Sequence, residues 1–228
     1  MSFSLQRINL RQAILFTLGG IALVLIGMRI QSALIGRTPD PTLTMPKELI
    51  GVLLPSPRDL QPFSLIDHHE KPFAPERLQG RWTFIFFGYT HCPDVCPLSM
   101  GLLAETYDLL GKTPNALSKV QSLFVSVDTE RDSPEQLKNY VPYFNPDFLG
   151  LTGKQEEIHA FAKQLGAYYS LPTKSDKGDE SQLISHSSVF FVIDPAGKFT
   201  ALFQPQLHQP ATMAELFLKI RKHYGETL

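Results

Sequence analysis

The chain has 228 residues, with 22 acidic against 21 basic side chains and a formal net charge of -1, so it carries no polybasic footprint and nucleic acid is excluded as a partner. With 43% hydrophobic residues it can build one good-sized core, and its length fits a single domain plus a tail. It holds only two cysteines.

Arg7 and Arg11 precede an uncharged run from Ala13 to Met28, which Arg29 closes. The run is short for a spanning helix, but flanking arginines can snorkel to the interface. It is long for the apolar part of a removed signal, and no clear A-x-A site follows. The expectation is an uncleaved anchor: a cytoplasmic tail at 1–12, a transmembrane helix at 13–30, a linker at 31–52 and a domain at 53–228. Basic residues on both sides barely decide orientation. The short N-terminal tail favours a single-pass inner-membrane protein whose soluble domain faces the periplasm, where a close thiol pair can be oxidised.

Residues 36–62 contain six prolines and little periodicity, and read as a tether. PFSLID is a short strand, followed by the polar turn DHHEKPF, which lacks the glycine expected of a tight hairpin and whose paired histidines could weakly attract metal. WTFIFFGY, Trp82–Tyr89, has the continuous apolarity of a strand buried on both faces. LSMGLLAETYDLLG reads as an amphipathic helix ending at Gly111, with apolar residues at Leu98, Leu102 and Leu109 and at Leu103 and Leu110. VQSLFVSVD is a second buried strand. Then come a helix opening at Ser133 and Pro134, with Gln136 completing a capping box, a short strand FLGLT, and a helix carrying Ile158, Phe161, Ala162 and Leu165 on one face. The charged loop 171–184 is expected to order on metal binding or docking. A strand, a PAGK turn, the strand FTALF and a last helix complete the chain. This alternation implies an α/β domain whose sheet is mixed but mostly parallel, with sites at the carboxyl ends of its strands.

Cys92 and Cys96 sit at such an end, with three residues between them and each followed by proline. Pro97 fits only the first turn of a helix, which puts Cys96 at the helix's positive end and favours its thiolate. A bridge closing so small a loop removes little chain entropy, so a structural disulfide is a poor stability device. Redox exchange and metal binding both stay open, and the spacing differs from the C-x-x-C of thioredoxin-type redox enzymes. Two thiolates alone leave a zinc or copper(II) site incomplete, so a metal would need a third ligand. His68, His69, His208 and His223 read as solvated, His159 as a helix-flank residue, and His91 as pointing away from its neighbour Cys92. His186, just before a buried strand, reads on position alone as a satisfied core residue.

GYTHCPDVCP, VSVDTERDSP at Val125–Pro134 and SHSSVFFVIDPAGKF at Ser185–Phe199 together resemble the Sco/SenC family of copper proteins, in order and spacing. The resemblance runs from about Leu53 to the C-terminus and includes the N-terminal anchor. It implies a thioredoxin-like fold in which Cys92, Cys96 and His186 bind copper as Cu(I) or Cu(II). It further implies delivery to the binuclear copper (CuA) centre of cytochrome c oxidase, with the apo-oxidase copper subunit as partner and another copper chaperone or a thioredoxin-like reductant as possible auxiliaries. Asp128, Arg131 and Asp132 would then dock the recipient or support the copper loop, where a local reading makes Asp132 and Ser133 helix caps and pairs Arg131 with a carboxylate. On this reading the protein is a metallochaperone rather than an enzyme. The alternative is a thiol:disulfide oxidoreductase using Cys92 and Cys96 to reduce the recipient's copper-ligand cysteines. A weaker third reading is a peroxidase-like site around Thr90 and Cys92.

Overall fold

The computed structural model describes Gly20 and residues 45–170, 185–186 and 188–226. Apart from Gly20, the expected anchor at 13–30 lies outside the described residues, as does the charged loop 171–184. Among the described residues no helix is long and apolar enough to cross a membrane. The chain divides into two compact units, Met1–Thr44 and Met45–Leu228, and the fold is that of the second.

Continuous apolar runs make the central strands. β4 (Trp82–Gly88) is buried at every position, and β5 (Val120–Ser126) runs parallel to it in register, Phe86 beside Phe124 and Gly88 beside Ser126. β6 (Leu149–Thr152) extends this parallel core. The outer strands are β1 (Leu53–Arg58), β2 (Leu65–Asp67), β3 (Pro72–Phe73), β9 (Phe190–Ile193) and β10 (Phe199–Phe203), giving the order β1-β10-β9-β4-β5-β6-β2-β3. A separate pair joins β7 (Tyr169–Ser170) to β8 (Ser185–His186).

The expected mostly parallel sheet is corrected here: only β4·β5 and β5·β6 are parallel, and the other five pairings are antiparallel. The reason is connection length. Parallel neighbours need a crossover, supplied by α1 (Val95–Leu110) and α2 (Pro134–Tyr140), whereas β2–β3 and β9–β10 are closed by short turns that force antiparallel pairing. At Asp194 the carboxylate accepts the N–H groups of Ala196 and Lys198 at 2.9 and 3.0 Å, and Gly197 takes a positive φ of 79°, which fixes the PAGK turn. In the β2–β3 turn, Glu70 occupies the left-handed position, φ 61°, where a glycine was expected.

Alternation along β4 sorts its side chains. Phe84 meets Tyr107 of α1 and Phe217 of α4 (Pro210–His223), while Phe87 meets Phe161 of α3 (Gln155–Leu165) on the other face. Each such buried ring contributes about 1.5–3 kcal/mol by leaving water. α2 lies on the α1 side, where Leu137 and Val141 close over Gly150 and Tyr140 meets Phe124. In α1 the buried stripe runs through Cys96, Met100, Leu103, Tyr107 and Leu110, which turns Leu98, read as part of the apolar pattern, outward at 62% exposure.

The proline-rich stretch read wholly as a tether also supplies structure. Leu49 and Val52 are buried, and LLPSPR forms the edge strand β1 against β10. An edge tolerates Pro55 and Pro57 because only one side of the strand must donate hydrogen bonds.

Candidate metal centre

The end of β4 and the start of α1 hold the two thiols. Asp94 is the N-cap of α1 and Pro97 falls in its first turn, as expected. Cys96, on that first turn, is fully buried, while Cys92, in the preceding loop, is half-buried, and both are thiols. The Cys96 N–H donates to Cys92 Sγ at 3.4 Å, and the Cys92 N–H reaches Tyr89 O at 3.3 Å, which curls the loop onto the helix end.

This geometry corrects which sulfur ionises first. Burial pushes the Cys96 thiol up, and the nearby charges of Cys92 and Asp132 push the same way against a Tyr89 hydrogen bond. Burial also opposes ionisation at Cys92, but the N–H groups of Asp94 and Cys96, with hydrogen bonds from Cys96 and Tyr89 side chains, outweigh it and hold Cys92 below the usual thiol value. The helix end does favour a thiolate, but its amides converge on the preceding residue's sulfur rather than on the helix's own inward-facing cysteine.

Gly88, the last residue of β4, makes room for Cys96. A Cβ there would stand 3.0 Å from Cys96 Sγ, 2.8 Å from Phe124 Cε2 and 3.0 Å from Phe86 Cε1.

Asp132 ties the thiol loop to the loop after β5. Fully buried, its carboxylate accepts from Thr90 N at 2.9 Å, Thr90 Oγ1 at 2.6 Å and Ser126 Oγ at 2.6 Å. It is not the helix cap of the local reading: Ser133 alone caps α2, accepting Gln136 N at 3.2 Å. The capping box is only half made, because the Gln136 side chain donates to Thr90 Oγ1 at 3.2 Å. Arg131 pairs with Asp128 and stands 6.0 Å over the Tyr89 ring, which meets the expectation of a carboxylate partner. His91, Asp128 and Asp132 put ligand-capable atoms within 4.8 Å of one another. Asp132 accepts three hydrogen bonds from Thr90 and Ser126 and faces His91 Nδ1 at 3.5 Å, and Asp128 is held by Arg131, so the cluster works as a hydrogen-bonded support for the loop.

The His186 side chain lies outside the described residues; its backbone pairs with Tyr169 in the β7–β8 ladder. β9 runs antiparallel to β4 with Phe190 opposite Phe86, so the chain enters β9 at the same end of the sheet from which the cysteine loop leaves β4.

Elsewhere, His69, His159 and His223 are exposed as expected, but His68 is not solvated: it is 5% exposed. Its N–H donates to Gly150 O at 2.9 Å and its Nδ1 accepts Gly150 N–H at 3.1 Å, which extends the β2–β6 pairing by one residue. Sequence reasoning also missed Tyr140, whose hydroxyl is buried with no hydrogen-bond partner among the described residues. No local signal marks either residue, because each owes its setting to distant chain.

A family model described as SCO1/SenC matches residues 55–221. The mitochondrial Protein SCO2 of Saccharomyces cerevisiae is 38% identical over 60% of this chain and 45% of that protein, and the mitochondrial human Protein SCO1 homolog is 37% identical over 62% and 46%. The chain thus spans about half the length of these relatives. Among solved structures, copper-bound Arabidopsis thaliana ScoI superposes with a TM-score of 0.64 at 34% identity, covering 71% of this chain and 98% of that one. Copper-bound yeast Sco1 gives 0.66 at 31% identity, covering 75% and 91%. The mixed sheet flanked by helices is the thioredoxin-like Sco fold, and the chain belongs to the SCO1/SenC family.

Proposed function

We propose that this protein is a membrane-anchored copper chaperone that holds one copper ion through Cys92, Cys96 and His186 and hands it to the CuA centre of cytochrome c oxidase. The observation that carries the reading is the juxtaposed thiol pair at the mouth of α1, one sulfur half-exposed and the other buried, in a chain of this family. The donor set fits the cargo: two soft sulfurs suit Cu(I), and an added imidazole admits Cu(II). The entry of β9 at the cysteine end of the sheet supports His186 as that third donor. Division of labour follows from burial. Cys96 is the fixed ligand, locked over Gly88, while Cys92 faces outward and can be exchanged for a recipient's ligand. Asp132, through Thr90, keeps the loop in place, and Asp128 with Arg131 braces it for docking. The apolar run at 13–30 anchors the domain at 53–228 to the inner membrane, facing the periplasm, with 31–52 as linker.

The contrast between the thiols supports a second reading, a thiol:disulfide oxidoreductase. Cys92 thiolate would attack a disulfide sulfur of the recipient and form a mixed disulfide. Cys96 would then displace it, leaving a Cys92–Cys96 disulfide and two reduced thiols on the recipient.

Copper loading of the full chain in detergent, with optical and EPR spectra of wild type and His186→Ala, separates the two. The chaperone reading expects one copper per chain and a sulfur-to-copper(II) charge-transfer band that collapses in the variant. A normal spectrum in His186→Ala refutes the ligand assignment. No stable copper, with a Cys92–Cys96 disulfide that exchanges readily with other thiols, establishes the oxidoreductase instead.

A further inference from the structure

Tyr140 closes α2, with its ring 5.5 Å from Phe124 and 5.2 Å from Phe144. Phe124 and Cys96 Sγ crowd the same space, the former 2.8 Å and the latter 3.0 Å from where a Cβ on Gly88 would lie. Tyr140 and the buried sulfur therefore both border the Phe124 ring. Among the described residues its hydroxyl is the one buried side-chain polar atom left without a hydrogen-bond partner. The other phenols set in the fold are served: Tyr107 accepts from Ser122 Oγ at 2.7 Å, and Tyr169 accepts from Gln155 Nε2 at 2.9 Å.

A buried hydroxyl without a partner destabilises the state in which it is found, and phenylalanine would fill the same space without that cost. The hydroxyl makes physical sense if it gains an acceptor in another state of the site. Metal ligation supplies one, because a thiol sulfur is a weak acceptor and a metal-bound thiolate sulfur is a strong one. We propose that Tyr140 is a positioning residue for the metal-bound form: its O–H donates to the Cys96 sulfur when Cys96 is a ligand, orienting that sulfur and tempering its charge. The inference rests on the copper reading above and names a residue beyond its ligand set. A phenol, with an ordinary pKa of about 10, keeps its proton at physiological pH, so the group remains a donor. In such sites hydrogen bonds around the cysteine sulfur tune both affinity and redox potential.

Tyr140→Phe, made in the full chain, deletes the hydroxyl and keeps the ring. In metal-free protein the urea midpoint is expected to stay the same or rise; a clear fall at unchanged slope means that the hydroxyl already has a partner, and overturns the proposal. In competition with a Cu(I) chelator the variant is expected to bind copper about tenfold or more weakly, the scale of a hydrogen bond to a charged acceptor. Its sulfur-to-copper(II) band should move to lower energy, because the sulfur loses a donor that stabilised its electrons. Wild type that binds copper, with a variant of equal affinity and an unmoved band, overturns this inference and leaves the chaperone reading standing. Wild type that takes up no copper overturns the chaperone reading, and this inference with it.

Discussion

Gly88→Ala tests the geometry of the site most directly. The added methyl would meet Phe124 at 2.8 Å and both Cys96 Sγ and Phe86 at 3.0 Å, closer than carbon normally approaches such atoms, so each neighbour must give by a few tenths of an ångström. None can do so freely: Phe86 and Phe124 are fully buried strand residues in register with one another, and Cys96 is held by the first turn of α1. Overpacking of this kind costs about 1–3 kcal/mol. A protein of ordinary stability survives that, so the variant should fold with a lowered urea midpoint. The sulfur is more sensitive. Metal–ligand distances tolerate only about 0.2 Å, less than the retreat that Cys96 must make, so copper affinity should fall disproportionately to stability. Urea unfolding of the metal-free protein, paired with Cu(I) competition against a chromophoric chelator, reads both effects. Unchanged stability together with unchanged copper affinity would refute the claim that Gly88 is there to seat Cys96.

Two further outcomes are expected. At neutral pH iodoacetamide should alkylate Cys92 in the folded protein and reach Cys96 only on unfolding, since Cys92 is the more exposed thiol with the lowered pKa and burial raises Cys96; peptide mass mapping that finds equal labelling would contradict this. His68 should make stability pH-dependent. Burial first, then the neighbouring His69 and Lys138, hold its pKa below 6.5 against the opposing pull of Asp67, and a second proton would set Nδ1 against the Gly150 N–H. Unfolded His68 takes up a proton as the pH falls through about 6.5 while folded His68 resists, so stability present above that pH is lost as the pH falls towards the folded pKa. Urea midpoints between about pH 7.5 and 5.5 should slope less in His68→Gln than in wild type, and parallel slopes would show that His68 is not the group responsible.

Much of this protein is legible from its order of residues alone. Period and punctuation mark β4, β5 and the helices, and Pro97 places Cys96 in a first helical turn, because each of these depends on neighbours within a few positions. So does the position of the thiol pair at the end of a buried strand. The rest depends on residues far apart in the chain. β1 becomes a strand only by pairing with β10, despite its prolines. The sheet's antiparallel wings follow from which strands meet, and His68 is buried because Gly150 receives it. Asp132 anchors a loop 42 residues earlier in the chain, through Thr90. Which thiol ionises is settled by desolvation and by the direction of helix amides, and both are properties of the packed molecule rather than of the spacing between Cys92 and Cys96.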